Sequence, residues 1–592
     1  MQFRYRSTRS PFAPKANVPS LRGAIVRSQK NRLIRGMPRA LFAAILAILL
    51  AVETAVTPVY AFAAPSSYDP RELGLISDAR DQAPWGMCWA FAGMAALESY
   101  AVTNGLADAS IDLSEEAVPW AILNAAKESA GISPAYGWMS KWGTRDESGY
   151  ADMMIGYFMS GKGPKLESDI PYYRGDDSDP FGSYYEETPP KNLSSALNAL
   201  EVTDIAYLDG ASVDEVKDAI MAYGGVVTSC DLSLDLYNPE TAALWSPTFA
   251  ESYANHAICI VGWDDTFPKE NFVAQEGELP QQDGAWLVKN SELADGEVAP
   301  YIWISYEDGI ILQSDPHNPS YAIAGARPVS QRTVHALDSD GAVAITYDEA
   351  SEDSSALSCA NVYEFAEGEQ LTEAMFMTTS KGAHYRILYY PVDDSLTPIA
   401  DPSRAVLLAE GTVAHAGYTT VELDQEASLP AGYGAIALEL TSSGGSATIG
   451  VDENVDEYGN PLYTADPQYE VRSFYLRDGS AEPAFTEPHE PVTFVLRAYG
   501  TQEETPDEPG EPAPGDPDTE PDGTTDNATP DNTPGDDTNE SVNTADESPK
   551  TDGKLASTGD NAYAVIALVA SAGLLCAVVA AIIRFIGTRR RH

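Results

Sequence analysis

Cysteine is scarce in this chain: five among 592 residues, at 88, 230, 259, 359 and 576. They show neither metal-ligand spacing nor the dense, even pattern of a disulfide-stapled scaffold. Stability must therefore come from apolar cores. Cys230 and Cys259 fall in short strand-like runs, GGVVTSC and HAICIV, and read as ordinary buried thiols. Positive charge is scarce too, with 36 Lys and Arg against 89 Asp and Glu and a net charge of -53. Such a chain is repelled by phosphate backbones, which excludes nucleic acid as a partner and favours solubility outside a cell. Ten of the basic residues sit in the first forty positions, which hold no acidic residue, so the remainder is more acidic still.

Long apolar runs are confined to the two ends. After Arg39 comes ALFAAILAILLAV, Ala40 to Val52, followed by Ala61-Phe62-Ala63-Ala64. A charged region, a short apolar region and a small-residue cleavage site predict a signal peptide over 1–64. The run is shorter than the roughly twenty residues of a spanning helix; an uncleaved anchor is the alternative. A cut near Ala63 leaves a short lead to Cys88 and predicts no N-terminal propeptide.

At the other end, residues 501–552 are mostly Pro, Asp, Glu, Thr, Gly and Asn, with no aromatic residue. That composition predicts a disordered linker, reaching on the order of 150 Å if extended. Residues 553–592 hold Leu555-Ala556-Ser557-Thr558-Gly559, an uncharged stretch over 562–583 long enough to span a bilayer, and a basic end with Arg589, Arg590 and Arg591. This arrangement resembles a sortase sorting signal of the Leu-Ala-x-Thr-Gly type. The resemblance implies cleavage between Thr558 and Gly559, with sortase and cell-wall peptidoglycan as partners and a membrane helix before processing. A permanent transmembrane tail is the alternative.

Chemistry concentrates in residues 65–330. In DQAPWGMCWAFAGMAALESY, Cys88 precedes small and apolar residues at helical spacing, which predicts a buried helix starting at the cysteine. Backbone N–H groups at a helix N-terminus favour thiolate over thiol. Further on, ANHAICIVGW places His256 at the mouth of a β-branched strand, and GAWLVKNS places Asn290 at the end of another. A thiol needs a base, and an imidazole needs an acceptor to orient it, so Cys, His and Asn form a coherent set. His317, the other histidine upstream of residue 330, lies in the loop-like SDPHNPSY.

Gln82, Cys88-Trp89-Ala90-Phe91, Asn255-His256-Ala257 and Lys289-Asn290-Ser291 occur in the order in which they occur in papain-like cysteine peptidases, and this stretch resembles that family. The resemblance implies a catalytic set of Cys88 as nucleophile, His256 as base and later acid, and Asn290 as the residue that orients His256. It also implies an oxyanion hole of Gln82 and the Cys88 N–H, a thiolate–imidazolium pair, and substrate-binding positions at Gly149 and Trp89. Leu113-Ser114-Glu115-Glu116 matches a further family segment. Two departures stand out: Trp85 replaces the family's first cysteine, removing a disulfide, and Glu292 stands where a tryptophan normally shields the Asn–His bond. The separation of Cys88 and His256, 168 residues, exceeds the roughly 130 to 150 expected and predicts inserted loops around 120–147.

Residues 331–500 alternate with period two in short runs, among them AHYRILYYPV, YTTVELDQ and PVTFVLRAYG. They predict an antiparallel β-sandwich of about eight strands, which resembles the lectin-like domain that follows some bacterial papain-like peptidases. Acidic loops such as Asp452-Glu453-Asn454 read as solvated surface before calcium ligands. The expected architecture is thus an α+β papain-like domain with a helical half and a β-barrel half, a β-sandwich, an acidic linker and a C-terminal transmembrane helix. The expected function is a secreted, wall- or membrane-anchored cysteine endopeptidase of protein or peptide substrates, without cofactor or metal. Two alternatives remain: a surface adhesin, binding glycan or host protein, whose peptidase-like domain is inactive; and transamidation or peptidoglycan-peptide hydrolysis on the same dyad.

Overall fold

A computed structural model describes residues 64–121, 149–174, 192–193, 195–247, 254–293, 296–313, 318–338, 345–349, 355–452, 471–477, 479–486 and 490–502. The expected signal peptide, the loops around 120–147, most of the acidic loop after Asp452, the linker and the sorting signal with Thr558 and Gly559 lie outside the described residues. No helix among the described residues is long and apolar enough to cross a membrane.

The first half of the peptidase domain is helical: α1 (Pro70–Leu73), α2 (Cys88–Thr103) and α3 (Ala151–Met159). Thirteen of the sixteen residues of α2 are buried. A helix apolar on every face belongs in an interior, and α2 is packed by α3 on one side and by barrel strands on the other. A further helix, α4 (Val213–Tyr223), begins with a Ser212–Glu215 capping box and turns Val216, Ala219 and Ile220 inward.

Among the described residues nine strands build the second half: β1 (Ser67–Tyr68), β2 (Glu201–Tyr207), β3 (Val226–Cys230), β4 (Tyr237–Asn238), β5 (Ala243–Leu244), β6 (His256–Asp264), β7 (Ala285–Lys289), β8 (Tyr301–Ser305) and β9 (Tyr321–Arg327). They hydrogen-bond in the order β2-β9-β3-β6-β7-β8-β5-β4, with β1 on β6. The central strands are buried on both faces, which is why HAICIVGW and AWLVK read as unbroken apolar runs. Cys230 and Cys259 are free and fully buried there.

Beyond Arg327 the described residues are mainly strands: β10 (Thr333–His335), β11 (Ile345–Glu349), β12 (Ala356–Phe365), β13 (Glu369–Thr378), β14 (His384–Pro391), β15 (Val406–Thr412), β16 (Gly417–Ser428), β17 (Gly432–Thr441), β18 (Thr448–Asp452), β19 (Ser473–Arg477), β20 (Ser480–Pro483), β21 (Phe485–Thr486), β22 (Glu490–Pro491), β23 (Thr493–Phe494) and β24 (Leu496–Gln502). One layer runs β15-β14-β17-β12-β19-β20, the other β10-β24-β13-β16. Leu371, Phe376, Ile387, Ile436, Leu438, Phe494 and Leu496 belong to the apolar core of this unit.

The expectation of about eight strands is corrected in two respects. Short strands such as β20 to β23 carry too few residues for a period-two signal, so the sequence undercounts them. The second layer is also not a separate sheet: β16 pairs with β2 through Gly417↔Ala206 and Tyr418↔Ile205, so one sheet runs from the sandwich into the barrel.

Candidate active site

Cys88 opens α2, where α2 meets β6. Its N-cap neighbour Met87 makes no side-chain cap and no acidic residue occupies the first turn. Ala90 N–H is taken by Met87 O at 3.0 Å, so the N–H groups of Cys88 and Trp89 are left without a side-chain cap. Cys88 is partly exposed and free, and the backbone N–H dipoles of Ala257 and Trp89 favour its thiolate form. Ala257 is the residue beside His256. Burial raises the thiol, these N–H groups oppose the rise, and the Glu292 carboxylate adds to it. The lowering expected at a helix terminus is present as a contribution and is outweighed by desolvation.

His256 is the first residue of β6 and is buried. Its Nε2 lies 2.8 Å from Asn290 Oδ1, and Asn290 directly follows the neighbouring strand β7. The Asn290 amide can take only one orientation. Its Nδ2 donates to the carbonyls of Glu292, at 2.7 Å, and Ala299, at 3.1 Å, while its Oδ1 also accepts from Glu292 N at 3.1 Å. Carbonyls only accept, so Oδ1 must face the ring, Nε2 must carry the proton, and Nδ1 is the basic nitrogen. Burial lowers His256 to about 4, with the Asn290 bond pulling the other way. On the approach to the strand, Asn255 donates to Asp231 Oδ1 at 3.0 Å and accepts from Leu232 N at 2.8 Å.

Gln82 is also buried. Its Oε1 accepts from Ser291 Oγ at 2.8 Å, its Nε2 donates to Trp85 O at 3.2 Å, and its backbone N–H donates to Ser291 O at 2.9 Å. Tyr172 O–H donates to Gln82 O at 2.6 Å. Asn290 and Ser291, adjacent in the chain, thus hold His256 and Gln82 respectively. Gly149 lies against Trp89: a Cβ at residue 149 would come within 2.2 Å of the indole, so glycine is required by that close approach. The structure brings together the His256–Asn290 pair and, through Ser291, Gln82, with Cys88 near Ala257, and separately the pair Gly149 and Trp89.

Sequence reasoning missed the residues behind this set. Glu98, the one charged residue of α2, is fully buried. It accepts from Ser77 Oγ at 2.5 Å, Arg80 Nη1 at 2.9 Å and Leu113 N at 2.9 Å, and Lys289 Nζ stands 3.4 Å away. A carboxylate inside an otherwise apolar helix was the available signal, because buried charge requires partners. Ser291 was named within the Lys289-Asn290-Ser291 motif without a role, and the Ala299 carbonyl offered no signal.

Residues 64–314 match the papain family cysteine protease, and residues 338–500 match the lectin-like domain. Cathepsin J of Rattus norvegicus is 24% identical over 230 residues, covering 38% of this chain and 56% of the relative. The chain thus spans just over half the length of the curated relatives it matches. Among solved structures, the clostridial cysteine protease Cwp84 after propeptide cleavage is 30% identical, with a TM-score of 0.62 over 74% of this chain and 99% of that one. A structure of the cysteine protease and lectin-like domains of Cwp84, a surface layer associated protein of Clostridium difficile, is 29% identical, with a TM-score of 0.60 over 74% of this chain and 89% of that one. On this combination of matched domains and near-complete coverage of a solved relative, the chain belongs to the papain family of cysteine proteases.

Proposed function

We propose that this protein is an endopeptidase of the cell exterior that hydrolyses protein or peptide bonds through an acyl-enzyme on Cys88. The observation that carries the reading is the 2.8 Å contact of His256 Nε2 with an Asn290 amide oriented by the Glu292 and Ala299 carbonyls, which leaves Nδ1 as the basic nitrogen. In this reading the Nδ1 lone pair takes the Cys88 proton as sulfur attacks the scissile carbonyl. The new oxyanion is received by Gln82 Nε2, whose second hydrogen is available, and by the Cys88 N–H. Collapse leaves a thioester, with the proton passed from His256 to the departing amine. Water, deprotonated by His256, then releases the acid. Burial favours neutral thiol and neutral imidazole, so charge arises on both together when the proton moves between them.

The surface location rests on two supports. Cwp84 is a surface layer associated protein, and the sequence of this chain carries signal-peptide-like and sortase-like ends. The lectin-like match favours a second activity, glycan binding by residues 338–500. Should Cys88 be inert, that adhesin reading would stand alone.

The test is labelling of the intact chain with an epoxide-type thiol reagent beside a Cys88→Ala control, followed by cleavage of a peptide library. Labelling at Cys88 with cleavage is the expected result. A folded protein whose Cys88 does not react overturns it.

A further inference from the structure

In the family this chain resembles, a tryptophan shields the Asn–His bond, and here that position is Glu292. The bond nevertheless forms at 2.8 Å, so another element must hold the Asn290 amide.

The amide is held from the loop between β7 and β8, through the carbonyls of Glu292 and Ala299. The base of that loop is closed by Asn290 N–H on Pro300 O at 3.0 Å, and Val298 is buried in the barrel core. Ala299 itself is fixed from outside the loop: its N–H donates to Tyr237 Oη at 3.1 Å. Tyr237 is nearly fully buried, and β4 joins β5, which runs parallel to β8. The ring is therefore immobilised on the same sheet that carries Asn290. Hydrogen bonds run without a gap from Tyr237 to Ala299, to Asn290 and to His256.

We propose that Tyr237 is a positioning residue for the catalytic imidazole, acting through Ala299 and Asn290 in place of an indole cover. The proposal rests on the catalytic reading of Cys88, His256 and Asn290 given above. A hydroxyl that holds one carbonyl in place acts on rate by restricting the Asn290 amide to the orientation in which Oδ1 faces Nε2. Without it the Ala299 carbonyl can swing, and the amide loses one of its two acceptors.

The intact chain is compared with Tyr237→Phe and Tyr237→Met, both of which lack the acceptor. Methionine adapts to a core if phenylalanine does not. The rate of Cys88 alkylation by an epoxide reagent is measured across pH, with thermal unfolding in parallel. We expect the rate to fall roughly 3- to 10-fold, the scale of one neutral hydrogen bond, with the unfolding temperature little changed. The acid limb should move to lower pH, the same direction as in Asn290→Ala, because the Asn290 bond raises the His256 pKa. Adding Tyr237→Phe to Asn290→Ala should cost nothing further. A rate and limb equal to the unaltered protein, or a full additional loss on the Asn290→Ala background, overturns the role of Tyr237 alone. Failure of the unaltered protein to be alkylated at Cys88 removes the catalytic reading and this proposal with it.

Discussion

Ser291 Oγ donates to Gln82 Oε1 at 2.8 Å, one residue beyond the amide that holds His256. That bond turns the oxygen of the Gln82 carboxamide toward Ser291 and leaves its NH2 end, one hydrogen of which is on Trp85 O, as the donor end that the proposed mechanism assigns to the oxyanion.

Gln82→Ala is therefore expected to slow acylation by roughly 100- to 1,000-fold, the loss typical of one oxyanion donor. Ser291→Ala, which frees the amide without removing it, should cost much less. Single-turnover acylation rates check both. An unchanged rate in Gln82→Ala would remove Gln82 from the site.

The pH dependence follows from His256. Burial lowers it to about 4, so the imidazole remains a base down to that pH, and kcat/KM should fall below about pH 4. The same shift links to stability. The unfolded chain binds the proton near the ordinary histidine value while the folded one resists it, so stability is full above about pH 6.5 and declines as the pH drops toward 4. The loss is at most about 3 kcal/mol from this group. Denaturation midpoints across that window, compared with His256→Gln, check the sign: the substituted protein should show a flatter acid slope.

The parts of this site that were legible in the sequence are those written in consecutive residues. A run of small and apolar residues after Cys88 marks α2, and apolar β-branched runs mark β6 and β7, so His256 and Asn290 could be placed at strand ends. What was hidden depends on pairing at long range. Ser291 meets Gln82 across 209 positions and Lys289 meets Glu98 across 191. The β16–β2 pairing joins two regions that each look like a complete strand set. Periodicity reports which face of an element is apolar, and it carries no information about which distant element completes a sheet.

Glu98 makes a stability prediction. Ser77, Arg80, Leu113 and Lys289 all converge on its carboxylate, and the Lys289 side chain is almost fully buried. Glu98→Ala strands the Lys289 charge in the interior and should cost about 3–5 kcal/mol. Glu98→Gln keeps one of the two oxygens, which can still accept from Leu113 N–H while the new NH2 faces Ser77 Oγ, and should cost less. Urea midpoints with unchanged slope would bear this out, whereas equal midpoints for Glu98→Ala and the unaltered protein would show that the cluster contributes nothing net.

The junction between the two units turns on Gly417. Its φ is +114°, and a Cβ there would lie 2.0 Å from the Ile205 carbonyl oxygen, so any other residue meets both backbone strain and a collision with β2. Around it, Tyr207 N–H donates to Ala416 O at 2.9 Å, Thr420 N–H to Asp204 at 3.0 Å and Thr420 Oγ1 to Thr203 O at 2.6 Å. Arg327 of β9 reaches Glu373 of β13 at 2.5 Å. Gly417→Ala must displace β16 from β2 to relieve the clash, at a cost of at least about 2 kcal/mol. The catalytic residues are all on the peptidase side of that joint, so Cys88 alkylation should persist while the units lose their coupling. Calorimetry should then show the unfolding endotherm of the intact chain broadening or dividing in Gly417→Ala. An endotherm of unchanged shape and midpoint would mean that the shared sheet does not bind the two units into one cooperative body.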